Sequence, residues 1–146
     1  MLAAVWRAED AGLLMPRWDS ANGSGPLAFY RAASAVKKLG ANLADSLPAE
    51  TGLAMSVVLI PQVMWTRFEV GREGLSVQSH SEGPGDGDLV IVTEEKVVRD
   101  LVYRKLDAGT AEKTGLLRFY GDPEGIANVR EALAKTSGAT LALPGR

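Results

Sequence analysis

Apolar residues recur at helical spacing at the start of the chain, at strand spacing through the middle, and at helical spacing again toward the end. Leu2, Val5, Trp6 and Leu13 share one face of a helix predicted over about 2–13, closed by Pro16. The stretch 19–25 is a loop, because Ser20, Asn22, Gly23, Ser24 and Gly25 are turn formers. Pro26 suits a first helical position. From it Leu27, Tyr30, Ala33 (or Ser34), Lys37 and Lys38 step along a second helix to Leu39. Gly40 caps that helix in this reading, and a last helical turn covers 41–47 before Pro48.

The middle of the chain changes period. Residues 53–60 are short and β-branched, and Pro61 ends them because it cannot donate to a central ladder. Residues 63–70 form a second strand with Met64, Thr66, Phe68 and Val70 on one face. Gly71-Arg-Glu-Gly74 is a turn, and Leu75, Val77 and Ser79 lie on one face of a third strand over 74–80. A polar, glycine-rich loop over 81–87 leads to a buried fourth strand over 88–92.

Helical spacing then returns. Thr93 followed by Glu94 and Glu95 reads as a hydroxyl N-cap with acids that complement the helix dipole. Val97, Val98, Leu101 and Val102 make the apolar stripe of a helix over about 94–104. That stripe marks the helix as the cover of any pocket beneath it. A short helix over 110–113 follows, then a strand over 116–120 with Leu117 and Phe119 on the same face. Asp122 caps a final helix over 123–134 with Pro123 at its first position and Ile126, Val129, Ala132 and Leu133 inward. The order predicts an α+β fold, a single five-stranded, mostly antiparallel sheet covered by helices.

Composition narrows the chemistry. The chain has 146 residues, enough for one domain with a real core, and its apolar fraction of 46% is that of a globular protein. Sixteen Lys and Arg against eighteen Asp and Glu leave a net charge of −2, so no basic field draws in nucleic acid. With no cysteine, disulfides, thiolate metal sites and cysteine nucleophiles are excluded; with one histidine, a multi-histidine metal site is excluded too. The most apolar run, 53–64, is about half a bilayer-spanning length and contains Pro61 and Gln62. Arg7, Glu9 and Asp10 interrupt the opening apolar run, so no signal peptide is read and the expected compartment is the cytoplasm.

Single residues offer little catalytic chemistry. His80, between Ser79 and Ser81, reads as an exposed hairpin-end residue before it reads as a general base. The Gly83-Pro-Gly-Asp-Gly-Asp88 loop lacks the Lys-Ser/Thr and helix of a phosphate loop, and position twelve from Asp86 is Val97 where a calcium loop needs Glu. Glu94 and Glu95 are a helix-start pair. Lys37 and Lys38 are a solvated face, with membrane-surface contact as the minority reading. Trp6, Trp18 and Trp65 either line a cavity or pack a core, and Tyr30, Tyr103 or Tyr120 is a candidate hydroxyl for a cavity mouth.

The serial order of elements between Gly74 and Leu133 resembles the sterol carrier protein 2-like (SCP2-like) lipid-binding domain. Asp88-Leu-Val-Ile-Val-Thr93 looks like the fourth strand and cap of that family. Lys105-Leu106-Asp107 resembles the end of its Gly-Lys-Leu-Asp segment, with Arg104 in place of the glycine. Ala111 and Gly115 stand where the short helix and next strand begin, and Leu117, Phe119, Gly121 and Asp122 match the last strand and cap. Pro48-Ala-Glu-x-x-Gly52 is similar to the family's approach to its first strand. The resemblance covers roughly 48–134, which divides the chain into an N-terminal helical extension over 1–47, an SCP2-like domain over 48–136 and a loose tail over 137–146.

The resemblance implies an apolar cavity between sheet and helices that holds a sterol, a fatty acyl chain or a similar lipid without catalysis and without a cofactor or metal. The large apolar residues on predicted core faces would line it: Phe29, Met55, Val57, Met64, Phe68, Leu101, Leu117 and Phe119. The alternative is that the same residues fill a closed core. The expected partner is a hydrophobic small molecule or lipid, with no nucleic acid and no stable membrane insertion. A second reading makes the chain an accessory module for dimerisation, or for presenting substrate to a partner enzyme, with an exposed stripe of Trp6, Leu13 and Phe29 as its mark.

Overall fold

The computed structural model describes residues 1–13, 26–48 and 52–138. Pro16, Trp18, the loop over 19–25, residues 49–51 and the tail from 139 onward lie outside the described residues.

Two helices come first, α1 (Leu2–Asp10) and α2 (Pro26–Ser46). Strands β1 (Leu53–Leu59), β2 (Met64–Gly71), β3 (Gly74–Ser81) and β4 (Leu89–Thr93) follow, then α3 (Glu95–Val102), α4 (Ala108–Lys113), β5 (Arg118–Tyr120) and α5 (Pro123–Leu133). A π-helical turn, Ala134–Gly138, continues α5. The five strands form one sheet in the order β3-β2-β1-β4-β5. The β1–β2, β2–β3 and β4–β5 pairs are antiparallel, and only the central β1–β4 pair is parallel. The α+β architecture, with a mostly antiparallel five-stranded sheet, is therefore the one the patterning predicts.

Alternation divides the sheet into two faces. Met55, Val57 and Leu59 of β1, Met64, Phe68 and Val70 of β2, and Leu89 and Ile91 of β4 join the buried helical residues in one core. From α2 the core takes Ala32, Val36, Leu39 and Leu43, joined by Leu47 just past its end; from α3, Val97, Val98 and Leu101; from α5, Val129, Ala132 and Leu133. On the opposite face lie Ser56 and Val58 of β1, Trp65, Arg67 and Glu69 of β2, and Val90 and Val92 of β4. No residue of that second set belongs to the core cluster.

Several local expectations are corrected. The second helix does not end at Gly40: α2 runs through it as one helix of 21 residues. Gly40 costs about 1 kcal/mol of helix propensity relative to alanine, but a Cβ there would overlap the Phe68 ring, so its absence lets the helix settle on the sheet. The inward stripe of α2 is accordingly Ala32, Val36, Leu39 and Leu43, while Tyr30 and Lys37 face out. Thr93 is not the cap of α3. It is the last residue of β4, its hydroxyl donates to the Leu116 carbonyl at 2.9 Å, and Glu94 is the N-cap, without a side-chain capping bond. The last strand is shorter than 116–120, because the Leu116 and Leu117 N–H groups are taken by the Ala111 carbonyl at the end of α4. The cap at Asp122 holds, and the structure adds one at Asp107, which starts α4 at Ala108 rather than at residue 110: each carboxylate accepts the N–H three residues on, at 3.0 Å.

Candidate functional site

The sheet presents its helix-covered face in cross-strand rows. One row runs Val77, Phe68, Met55, Leu89 across β3, β2, β1 and β4. The next runs Ser79, Thr66, Val57, Ile91, Phe119 across all five strands. The structure thus brings Met55, Val57, Met64 and Phe68 side by side, with Leu101 from α3 and Leu117 from the approach to β5 in the same core. Phe119 is partly buried against it, with the Arg130 guanidinium 5.7 Å from its ring centroid. Phe29 does not sit in the centre. It is 46% exposed at the N-terminal end of α2. Sequence reasoning missed Val36, Leu39 and Leu43 as part of this layer, although their spacing of three and four was the available signal.

The cover is tight over the middle of the sheet and thin at one edge. Phe68 is fully buried under Gly40. Val77, in the same row on the edge strand β3, is 37% exposed. Helix α2 lies along this edge, antiparallel to β3. At one end Phe29 stacks on His80, with ring centroids 4.8 Å apart and planes 11° apart. At the other end a cleft of about 330 Å³ opens between Ala41 and Ala44 of α2, with Leu47 just past its end, and Val70, Gly74 and Leu75 of the β2–β3 hairpin, and Asp45 and Arg72 also line it. Between these two ends Val77 is the exposed apolar residue of β3 on the helix side.

His80 owes its position to an irregularity. The β2–β3 register shifts between Trp65 and Thr66, so that Ser79 faces Thr66, Ser81 faces Trp65, and His80 is the extra residue. Its φ is +61°, a left-handed value that non-glycine residues rarely adopt. The expectation of an exposed strand-end histidine is met in exposure, but its ring is aimed at a helix.

The fixed charges lie on the other face. Burial alone would push the Asp88 carboxyl up, but it accepts hydrogen bonds from Arg67 Nε at 2.8 Å, Ser56 Oγ at 2.8 Å and the Gly85 N–H at 2.9 Å. Together these outweigh burial and hold it below the usual carboxylate range. The 82–88 loop is thereby clamped over the outer face, and the Arg67 guanidinium lies against Gly85 where a Cβ would crowd it. On α3, Asp100 is pushed up by burial, against the pull of Lys96, Lys105 and Arg99. Among the described residues no group of three or more acidic or histidine side chains is placed to hold a metal ion.

No family model matches the chain, and no curated protein does. Solved structures do match. Palmitated SCP2L2 from Aedes aegypti aligns over 68% of this chain and 91% of its own, with 12% identity and a TM-score of 0.52. The ubiquinone synthesis protein UbiJ-SCP2 aligns over 76% of this chain and 99% of its own, with 13% identity and a TM-score of 0.50. The fold is SCP2-like. A sec-alkylsulfatase, Pisa1 from Pseudomonas sp., also aligns over 60% of this chain, at 20% identity and a TM-score of 0.47, but this chain spans only 14% of its length.

Within the SCP2-like fold the other candidates fall outside the helix-covered layer. Trp65 is on the outer face beside Val58, and Trp6 is 61% exposed on α1. Tyr30, Tyr103 and Tyr120 are all exposed, Tyr103 with Lys38 Nζ 5.5 Å from its ring centroid. Leu13 and Phe29 are exposed at the ends of two different helical segments. Among the described residues no helix is long and apolar enough to cross a membrane.

Proposed function

We propose that this chain binds and carries a hydrophobic ligand, a sterol, fatty acyl chain or similar lipid, in the layer between α2 and the sheet, and does so without catalysis. One observation carries the reading: an apolar, helix-covered sheet face that is left incompletely covered along β3, where Val77 is exposed in the same row as buried Phe68. Each methylene moved from water into such a layer contributes about 0.8 kcal/mol, so a long chain needs few polar contacts. The palmitated form of the Aedes aegypti relative favours an acyl ligand within this class. The proposed lining is Met55, Val57, Met64, Phe68, Leu101, Leu117 and Phe119, with Phe29 and Val77 at the margin.

The test is a titration of the purified protein with a fluorescent long-chain fatty acid. Saturable binding that unlabelled palmitate displaces is expected. Val77→Asp, at an exposed position, should leave the melting temperature within a few degrees and weaken binding at least tenfold. Absence of saturable binding by the parent protein contradicts the reading.

A further inference from the structure

We infer that the free edge of β3 is an interface between two copies of this chain, which pair antiparallel, β3 to β3, about a two-fold axis at Val77. The pairing needs no ligand and does not rest on the carrier reading. The sheet has two edges, and they are built differently. β5 is three residues long, opens on Arg118 and runs into Asp122 and Pro123. Short, charged edges of that kind resist pairing with another chain. β3 is eight residues long and has no proline and no Lys, Arg, Asp or Glu from Gly74 to Ser81. Its one protective device, the bulge at His80, lies at the end and leaves Leu75 to Ser79 in unbroken register with β2. The outward backbone groups can be named. Gly71 faces Gly74 across a two-residue turn and forms the first hydrogen-bonded pair, and such pairs alternate with non-bonded ones along the ladder. Glu69–Ser76 and Arg67–Gln78 are then the bonded pairs, so Leu75, Val77 and Ser79 turn their N–H and C=O groups away from β2. Among the described residues none of these groups bonds to another element.

A second copy of the same strand is the occupant this edge fits. Centred on Val77, antiparallel pairing sets Val77 opposite its own copy and Leu75 opposite Ser79 on the helix side, with Ser76 opposite Gln78 on the outer face. The outward groups of Leu75, Val77 and Ser79 then meet as hydrogen-bonded pairs, and no like charges face each other. The 37% exposed Val77 packs against its equal, which extends the Phe68 row across the junction. The same register carries Arg72 of each copy toward Glu82 of the other. Both are exposed, and among the described residues neither has an ion pair. Opposite charges at the rim of a contact fix its register. The helices do not collide. Gly40 lies on Phe68 of β2, one strand in from the edge. That places α2 and its copy three strand spacings apart, about 14 Å, beyond the distance of about 8–10 Å at which helix axes pack.

Sedimentation velocity of the delipidated protein, from micromolar to near-millimolar concentration, is expected to show a monomer–dimer equilibrium, weak because an edge contact is small. Val77→Pro removes an outward N–H that no bond to β2 uses, so it should abolish the dimer while the circular dichroism stays that of the parent. Arg72→Glu should raise the dissociation constant severalfold, and Arg72→Glu/Glu82→Arg should restore it. The chain has no native cysteine, so single cysteines report the register. Val77→Cys should oxidise to a covalent dimer at least tenfold faster than Ser76→Cys, because only residue 77 faces its own copy, with Cα atoms about 5.5 Å apart. A parent that stays monomeric throughout overturns the pairing, gives the edge to an extended segment of another protein, and leaves the carrier reading standing. A dimer that a folded Val77→Pro protein still forms, equal cross-linking at 76 and 77, or no rescue by the charge swap overturns the β3 interface. If Val77→Pro unfolds the protein, the cysteine and charge-swap results decide alone.

Discussion

Gly40 and Phe68 set the separation between α2 and the sheet. A methyl group added at residue 40 would favour the helix by about 1 kcal/mol, yet it would overlap the Phe68 ring, and overpacking of this kind costs about 1–3 kcal/mol. Gly40→Ala is therefore expected to lower stability in denaturant unfolding. Adding Phe68→Leu should recover part of that loss, so the two changes are non-additive in a double-mutant cycle. A Gly40→Ala protein as stable as the parent would mean that α2 stands off the sheet. At Asp88 the sign of the pH effect follows from its lowered pKa. The unfolded carboxyl titrates near about 3.9, so the unfolded chain takes up the proton first as pH falls. The stabilisation is fully present above that value and is lost as pH drops through the lower folded value. Asp88→Asn should lower stability at neutral pH by about 1–3 kcal/mol and flatten the acid limb of a stability–pH curve below about pH 4. An unchanged acid limb would show that the clamp on Arg67, Ser56 and Gly85 does not form.

Among the elements, α3 and α2 both pack apolar residues into the core beside the sheet. The stripe of α3 marks it as the cover of a pocket, but Val97, Val98 and Leu101 are all sealed within the core. Leu101→Glu should bury an unpaired charge and unfold the protein, a loss of at least about 3 kcal/mol, rather than leave a folded protein that has lost its ligand. A thermal melt decides between these outcomes, and a folded Leu101→Glu protein would contradict the filled packing of α3 on the core. The strands were legible because alternation at Met64, Thr66, Phe68 and Val70 and the Gly71–Gly74 turn are local signals. The continuity of α2 was not legible, because Gly40 carries the same local signal whether it caps a helix or admits a ring from a strand more than 25 residues away. Thr93 was misread for a related reason: the Leu116 carbonyl that takes its hydroxyl is distant in sequence. The bulge at His80, too, depends on the pairing of β3 with β2 rather than on any property of residues 79–81 alone. Arg104 is the reverse case. It stands where the resembled motif has glycine, and its φ of +61° keeps the glycine-like conformation.

At the scale of the molecule, one sheet face carries helices and an apolar layer while the other carries the Arg67–Asp88 clamp under the 82–88 loop. This division explains why the buried residues of the sheet's helix-covered face were foreseeable and its exposed edge was not. Met55, Val57, Met64 and Phe68 follow from strand period, whereas Phe29 and Val77 take their exposure from how far α2 reaches over an edge strand. The SCP2-like fold supplies the layer, and the thin cover along β3 is what makes ligand carriage the function we infer. The central claim is that a hydrophobic molecule occupies this layer. Native mass spectrometry of the purified protein, followed by solvent extraction and identification of what is released, tests it most directly. We predict a species heavier than the bare chain by one lipid, whose extract contains an acyl lipid or sterol and which reverts to the bare mass on delipidation. A protein that runs only at the bare mass and stays there after incubation with fatty acid or sterol would contradict the account.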